Sequence, residues 1–242
     1  MKILAIGNSF SQDATRYLYG IARADGVSLE VVNLYIGGCS LERHYRNMLS
    51  GERAYALEVN GHKTGFSVSL DEALLNRQWD VVTLQQASHV SADPDSYTPY
   101  IEALNEYVKE CQPKAKIFIH QTWAYEKESK RLFEVAKFDT PADMMTSVRS
   151  AYKAAADKIN ADGIIPSGDV FEKMLESGIE KIHRDTFHAS YGLGRYALAL
   201  TWYRALTGND VKDNTFCDFD EEVASSQMQI AKDCVEYIIK KD

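Results

Sequence analysis

Short apolar runs alternate along this chain with stretches in which apolar residues recur at helical spacing, the pattern of a parallel α/β sheet. Lys2 to Ile6 reads as the first strand, and Ala14, Tyr17, Leu18, Ile21 and Ala22 then repeat along one helix face. Leu29 to Ile36 is a second strand, stopped by Gly37-Gly38, with a shorter helix over Leu41 to Leu49. Between about Ala54 and Ser69 the residues alternate around Asn60-Gly61, which predicts a small antiparallel hairpin insertion. Asp80 to Gln85, Lys116 to His120 and Gly163 to Pro166 read as three further strands. Helical faces running from Tyr97 to Cys111 and from Met144 to Ile159 separate them. Helices from about Ser190 to Thr207, capped by Gly208, and from about Asp220 to Lys240 complete the pattern. The expectation is a single domain over residues 1–242, a three-layer α/β/α sandwich of the flavodoxin-like kind with about five parallel strands. Ligands of such folds bind outside the carboxyl ends of the strands. Ser9, Gly37-Gly38, Gln85-Gln86, Gln121 to Trp123 and Pro166-Ser167 all follow strand ends, so they belong on one rim.

Ser9 is delivered where the first strand breaks at Gly7, and a helix follows. A hydroxyl is a weak nucleophile unless a base adjoins it and an acid orients that base. Asp185-Thr186-Phe187-His188, far down the chain, supplies both groups within one turn. Each part has a plainer reading: Ser9 or Ser11 as a helix cap, Asp185 as a second cap, His188 as a chance histidine. His183 opens a further alternative, a metal site with Asp185 and His188, but no ligand pattern such as H-E-x-x-H supports it. Gly7-Asn8-Ser9 is neither a P-loop nor a G-x-G-x-x-G turn, and the G-x-S-x-G elbow is missing. Acyl transfer also needs donors aimed at the developing oxyanion. The N–H of Ser9 at a helix start and that of Gly38, unshielded by a side chain, are candidates. Gln86 offers a side-chain amide, and Gln85 or Ser88 can equally hold that position.

A net charge of −8 argues against nucleic acid as a partner. No run approaches the roughly 20 apolar residues of a membrane span. The sequence opens directly on a strand, without a basic n-region or apolar h-region, so the expected location is the cytoplasm, although a chain with its leader removed would read the same. Cys39, Cys111, Cys217 and Cys234 form no C-x-x-C pair and suggest neither a zinc site nor a disulfide framework. No cofactor is called for.

Taken together, these segments resemble the SGNH (GDSL-like) hydrolases, in the right order across nearly the whole chain. Gly7-Asn8-Ser9-Phe10-Ser11 resembles the nucleophile block, with Asn8 in place of the usual aspartate. Gly37-Gly38 resembles the glycine block, and Asp185 to His188 the last. The third block departs from the family's Gly-x-Asn-Asp, since this chain has Gln85-Gln86-Ala87-Ser88-His89. Tyr35 to Glu42, Leu84 to Gln86 and Gln121 to Tyr125 are similar to a bacterial branch of the family. The resemblance implies a metal-independent esterase with Ser9, His188 and Asp185 as its triad and Ser9, Gly38 and Gln86 as oxyanion donors. It often means a deacetylase of O-acetylated sugars.

On the substrate side, Trp123 and Tyr125 are placed to stack on a sugar ring, with Gln121 and Gln85 as hydrogen-bonding amides. Trp123 reads equally well as core. His89 and Tyr97 flank the third-strand loop, and Glu42 and His44 follow the glycine block as either substrate contacts or a surface ion pair. The polar, aromatic rim and the absence of a lid-like apolar segment favour a short acyl group on a carbohydrate or other small alcohol. A thioesterase or lysophospholipase with the same triad is the second reading. A noncatalytic carbohydrate-binding module on a decayed hydrolase fold is the third. Oligomeric state is not legible.

Overall fold

The structure, a computed structural model, describes residues 1–240. The chain runs β1 (Lys2–Gly7), α1 (Ser9–Thr15), α2 (Leu18–Ala24), β2 (Glu30–Tyr35), α3 (Leu41–Ser50), β3 (Tyr55–Val59), β4 (His62–Val68) and α4 (Leu70–Leu75). It continues through β5 (Val81–Leu84), α5 (Tyr100–Cys111), β6 (Lys116–His120), α6 (Lys130–Glu134), α7 (Pro141–Ile159), β7 (Gly163–Ile165), α8 (Ser167–Glu176), α9 (Leu193–Thr207) and α10 (Ser225–Ile238). One sheet of seven strands holds the fold, in the order β4-β3-β2-β1-β5-β6-β7. The five strands expected to be parallel are so, β2 and β5 flanking β1, then β6 and β7. Helices cover both faces: α1, α2, α8, α9 and α10 pack together on one, and α3, α4, α5 and α7 on the other. This is the α/β/α sandwich that the alternating pattern predicts.

Two features place the site. First, Ile3, Leu4, Ala5 and Ile6 are wholly buried, which an apolar run without alternation requires of a strand covered on both faces. Second, the chain leaves β1 for β2 on one side and later crosses to β5 on the other. The helices after β1 and after β5 therefore lie on opposite faces and part at the carboxyl end of β1. That is the switch point where α/β sheets open a crevice, and Ser9 stands at it.

The hairpin differs from expectation. It is no separate insertion: β3 pairs antiparallel with β2, from Val32 opposite Val59 to Tyr35 opposite Ala56, and so extends the main sheet. Asn60 and Gly61 both have positive φ (51° and 78°), the geometry of a two-residue hairpin turn matched to strand twist. A Cβ on Gly61 would lie 2.2 Å from the Arg16 carbonyl oxygen, so the hairpin tip packs on the residue that ends α1 and admits only glycine there. The short helices α4, α6 and α8 were not expected. The C-terminal helix begins at Ser225, because the stretch from Asp218 to Val223 runs irregularly and spends Asp220 on an ion-pair network.

Candidate active site

Ser9 is the first residue of α1, and the helix is capped by its neighbour. Asn8 Oδ1 accepts from the Phe10 N–H (3.0 Å) and from Gln85 Nε2 (2.8 Å), while Asn8 Nδ2 donates to the Cys39 carbonyl (3.0 Å). The Ser11 hydroxyl lies within hydrogen-bond distance of Asn33 Oδ1 (2.7 Å) and the Asn8 carbonyl (2.9 Å). The capping role is thus taken, and the Ser9 hydroxyl is left for other work. The Cys39 contact also explains why an amide stands at position 8, since a carboxylate has no proton to give that carbonyl.

His188 approaches from the other end of the chain. Its Nε2 lies 2.9 Å from Ser9 Oγ, and its Nδ1 lies 2.7 Å from Asp185 Oδ2. The carboxylate can only accept, so Nδ1 carries the proton and Nε2 is left to receive the serine's. Asp185 Oδ1 meanwhile accepts from the backbone N–H of His188 (2.8 Å). Burial pushes the Asp185 carboxyl up, but hydrogen bonds from the His188 side chain and backbone outweigh it and hold the group below its ordinary value. Thr186, between the two, sits at φ +71°, a left-handed conformation that threonine rarely adopts. The loop is pinned against that strain. Thr186 accepts from the Glu126 N–H (2.8 Å), Phe187 accepts from Trp123 Nε1 (2.8 Å), and His183 bridges Ala189 across the loop's base.

An ion-pair network joins the two halves. Asp13, one turn along α1 from Ser9, is fully buried and receives Arg184 Nη1 on both oxygens (2.8 and 3.0 Å) and Arg195 Nε (2.9 Å). Arg195 Nη1 continues to Asp220 (2.7 Å), which also takes Arg16 (2.6 Å). Burial raises the Asp13 carboxyl, and the guanidiniums of Arg184 and Arg195 pull it back. Arg184 adjoins Asp185 in sequence, so this contact sets the histidine loop against the serine helix. Asp13→Asn leaves two mostly buried guanidiniums short of a counter-charge and is expected to cost about 3–5 kcal/mol of stability. Urea unfolding of the variant beside wild type measures it, and a loss below about 1 kcal/mol would mean the network does not hold the halves together.

Ser9 and His188 open on a crevice of about 310 Å³, bordered also by Tyr35, Gly38, Ser88 and His89. Gly38 occupies a turn closed by Cys39 N–H to the Ile36 carbonyl (3.2 Å), with φ +61°, and stands exposed at the crevice. The Ser9 N–H, in the first turn of α1, has no intrahelical acceptor.

Gln86 does not reach the crevice. It is buried: its Oε1 accepts from the Leu41 and Ala87 N–H groups (3.0 and 2.8 Å), and its Nε2 donates to Ser96 (2.9 Å to the carbonyl). Ser88 does border the crevice, its hydroxyl 2.8 Å from that of Tyr125. Gln85 is likewise committed inside, to Asn8 and to His120 Nδ1 (2.9 Å). Gln121 binds the N–H groups of Gly168 and Asp169 (3.1 and 3.2 Å) at the start of α8. Trp123 and Tyr125 are each 1% exposed, so neither offers a ring face to a sugar at Ser9. Trp123 stacks on Phe10 (4.0 Å between centroids), and both it and Tyr125 border a separate cavity of about 730 Å³ with His183 and Thr186. His183 turns from Asp185 and His188 toward the Ala124 carbonyl (3.2 Å) and Glu126 (3.3 Å). His44 is no surface residue but a buried partner of Tyr55 (3.0 Å), while Glu42 pairs with Arg46 (2.5 Å). Sequence reasoning missed Asp13, Arg131 and Arg184. Only the position of Arg184 beside the Asp-x-x-His run offered a signal.

Comparison with solved structures found a protein of the DUF4886 family from Bacteroides uniformis with a TM-score of 0.92 and 35% identity, over 99% of this chain and 94% of that one. A protein from Slackia heliotrinireducens, provisionally assigned to the SGNH hydrolases, has a TM-score of 0.61 and 23% identity over 84% of this chain and 97% of its own. Axe2, an acetylxylan esterase from Geobacillus stearothermophilus, has a TM-score of 0.51 and 15% identity over 86% of this chain and 92% of its own. At those identities the last two likenesses concern the fold. A comparison with curated proteins found no match. Among the described residues no helix is long and apolar enough to cross a membrane. The sequence matches the family described as Domain of unknown function (DUF4886) over residues 2–237, and the chain belongs to that family.

Proposed function

We propose that the protein is a serine ester hydrolase of the SGNH type that removes a short acyl group, acetyl by preference, from a carbohydrate or other small alcohol. The observation that carries this reading is the unbroken line from Ser9 Oγ through His188 to Asp185, at 2.9 and 2.7 Å. In the reaction His188 Nε2 takes the serine proton as Oγ adds to the ester carbonyl. Asp185 holds the imidazole by its other nitrogen and stabilises the imidazolium. In this reading the N–H groups of Ser9 and Gly38 serve the developing oxyanion, and the Ser88 hydroxyl, 2.8 Å from that of Tyr125, takes the place of Gln86 as third donor. His188 then protonates the departing alcohol, and water, deprotonated by the same imidazole, releases the acid from Ser9. No metal enters this scheme.

The small crevice supports a short acyl group over the long chains that a thioesterase or lysophospholipase accepts. Hydrolysis of p-nitrophenyl acetate in the presence of chelator, with covalent capture of Ser9 by a fluorophosphonate, tests the mechanism. Activity should fall as the acyl chain lengthens from acetyl to octanoyl. A rise along that series would favour the lipid reading. Sugar binding with neither turnover nor capture would favour a noncatalytic module.

A further inference from the structure

The chain carries a net charge of −8, yet among the described residues the crevice at Ser9 is bordered by Arg131, Arg184, His89 and His188 and by no aspartate or glutamate. The two arginines differ in what they are free to do. Arg184 spends its guanidinium on Asp13 and on the Ala189 carbonyl. Arg131, the second residue of α6, has no ion pair and no side-chain hydrogen bond among the described residues. Its guanidinium carbon lies 4.4 Å from the centre of the Phe187 ring, which itself packs on the His188 ring at 3.9 Å. The contact with the ring spends none of the guanidinium's N–H groups on a hydrogen bond among the described residues, so they remain available as a fork for a two-oxygen anion. The base of the triad and the unspent cation are thus separated by one aromatic ring. Beside the crevice, Arg16, Arg184 and Arg195 are held in an ion-pair network with Asp13 and Asp220. Asp185, the nearest carboxylate of the triad loop, has Oδ2 on the His188 imidazole and Oδ1 on the His188 N–H. Burial, and then the charge of Arg131, hold the His89 imidazole below its ordinary value.

We propose that Arg131 binds a carboxylate on the alcohol portion of the substrate, so that the ester cleaved is one of an acidic alcohol such as an acylated uronic acid. The inference rests on the esterase reading for its chemistry, but the anion subsite stands on its own geometry. A neutral sugar leaves the fork solvated and gains nothing from it, whereas a uronate exchanges water for two charge-assisted hydrogen bonds beside an apolar ring.

The test separates the two ideas. Calorimetric titration of wild type with methyl glucuronoside and with methyl glucoside reads the subsite without turnover. Binding roughly tenfold or more tighter for the uronate is expected. Arg131→Gln should abolish the difference, and Arg131→Lys, which keeps the charge and loses the fork, should restore only part of it. The kcat/KM ratio for the O-acetylated forms of the same two glycosides should follow the same order, through KM more than kcat. Equal binding of both sugars by wild type, or a preference that survives in Arg131→Gln, overturns the proposal. Preferential uronate binding without any ester hydrolysis would retain the subsite and remove the esterase reading. Hydrolysis without discrimination would do the reverse.

Discussion

Ser9→Ala is expected to lower kcat on p-nitrophenyl acetate by a factor on the order of 10⁴ to 10⁶. The same variant should unfold within about 0.5 kcal/mol of wild type. Both parts follow from what the hydroxyl touches. Among the described residues its one hydrogen-bond partner is His188 Nε2, and the cap of α1 belongs to Asn8, so its loss leaves no helix end open. On the esterase reading the backbone N–H at position 9 survives, as does Gly38, so the residual rate measures what these proposed oxyanion donors achieve without a nucleophile. A variant that keeps more than a few per cent of the wild-type rate would mean that Ser9 is not the attacking group. A variant that fails to fold would instead expose a structural role for the hydroxyl.

The second large effect is on stability in mild acid. His44, His120 and His183 lie inside the protein and are neutral there. Burial lowers the first two to about 3 and the third to about 4. In the unfolded chain each returns to about 6.5. Between those values the unfolded state binds protons that the folded state refuses, so stability rises with pH across this window and is lost as pH falls below about 6.5. At pH 5 each histidine costs about 2 kcal/mol relative to neutral pH, and the three together roughly 6, against a typical total of 5–15. Asp185 and Asp220 act in the same direction but further into acid, since both are held below their ordinary values. Urea midpoints at pH 7.5 and pH 5 should therefore differ widely. Equal midpoints would mean that the buried imidazoles find proton acceptors when charged.

Much of this molecule is legible in its sequence because the strongest signals are local. β1 is an apolar run that ends at a glycine, and the strand, the turn and the serine can be read within nine residues. Asp185 and His188 lie within one turn, so their mutual contact is also a local matter. The oxyanion glutamine fails for the opposite reason. A glutamine just past a strand looks the same whether its amide faces the crevice or the interior. The choice is made by Leu41, distant in sequence by 45 residues, and by Ser96, distant by 10. Trp123 is similar: its indole is fixed by a carbonyl 64 residues away. The hairpin was visible as a hairpin, but its partner strand was not, because pairing with β2 depends on where the chain returns. Asp13 and Arg184 carry no pattern at all, being single charges 171 residues apart. The S-x-x-E signature of Ser69 and Glu72 marks the start of α4 locally, as a capping box.

The serine and the histidine that it meets are 179 residues apart, and each belongs to a segment that is useless alone. On the esterase reading, turnover works as a clock for chain closure. During refolding, α1 and the strands around it can form and give their spectroscopic signal while Ser9 still has no base. Hydrolysis can return only when the loop carrying Arg184 and His188 docks on Asp13. A recovery of activity that lags the recovery of helix and sheet would date that docking step directly. Any ligand that speeds the recovery without altering the earlier signal would be binding at the seam between the two ends.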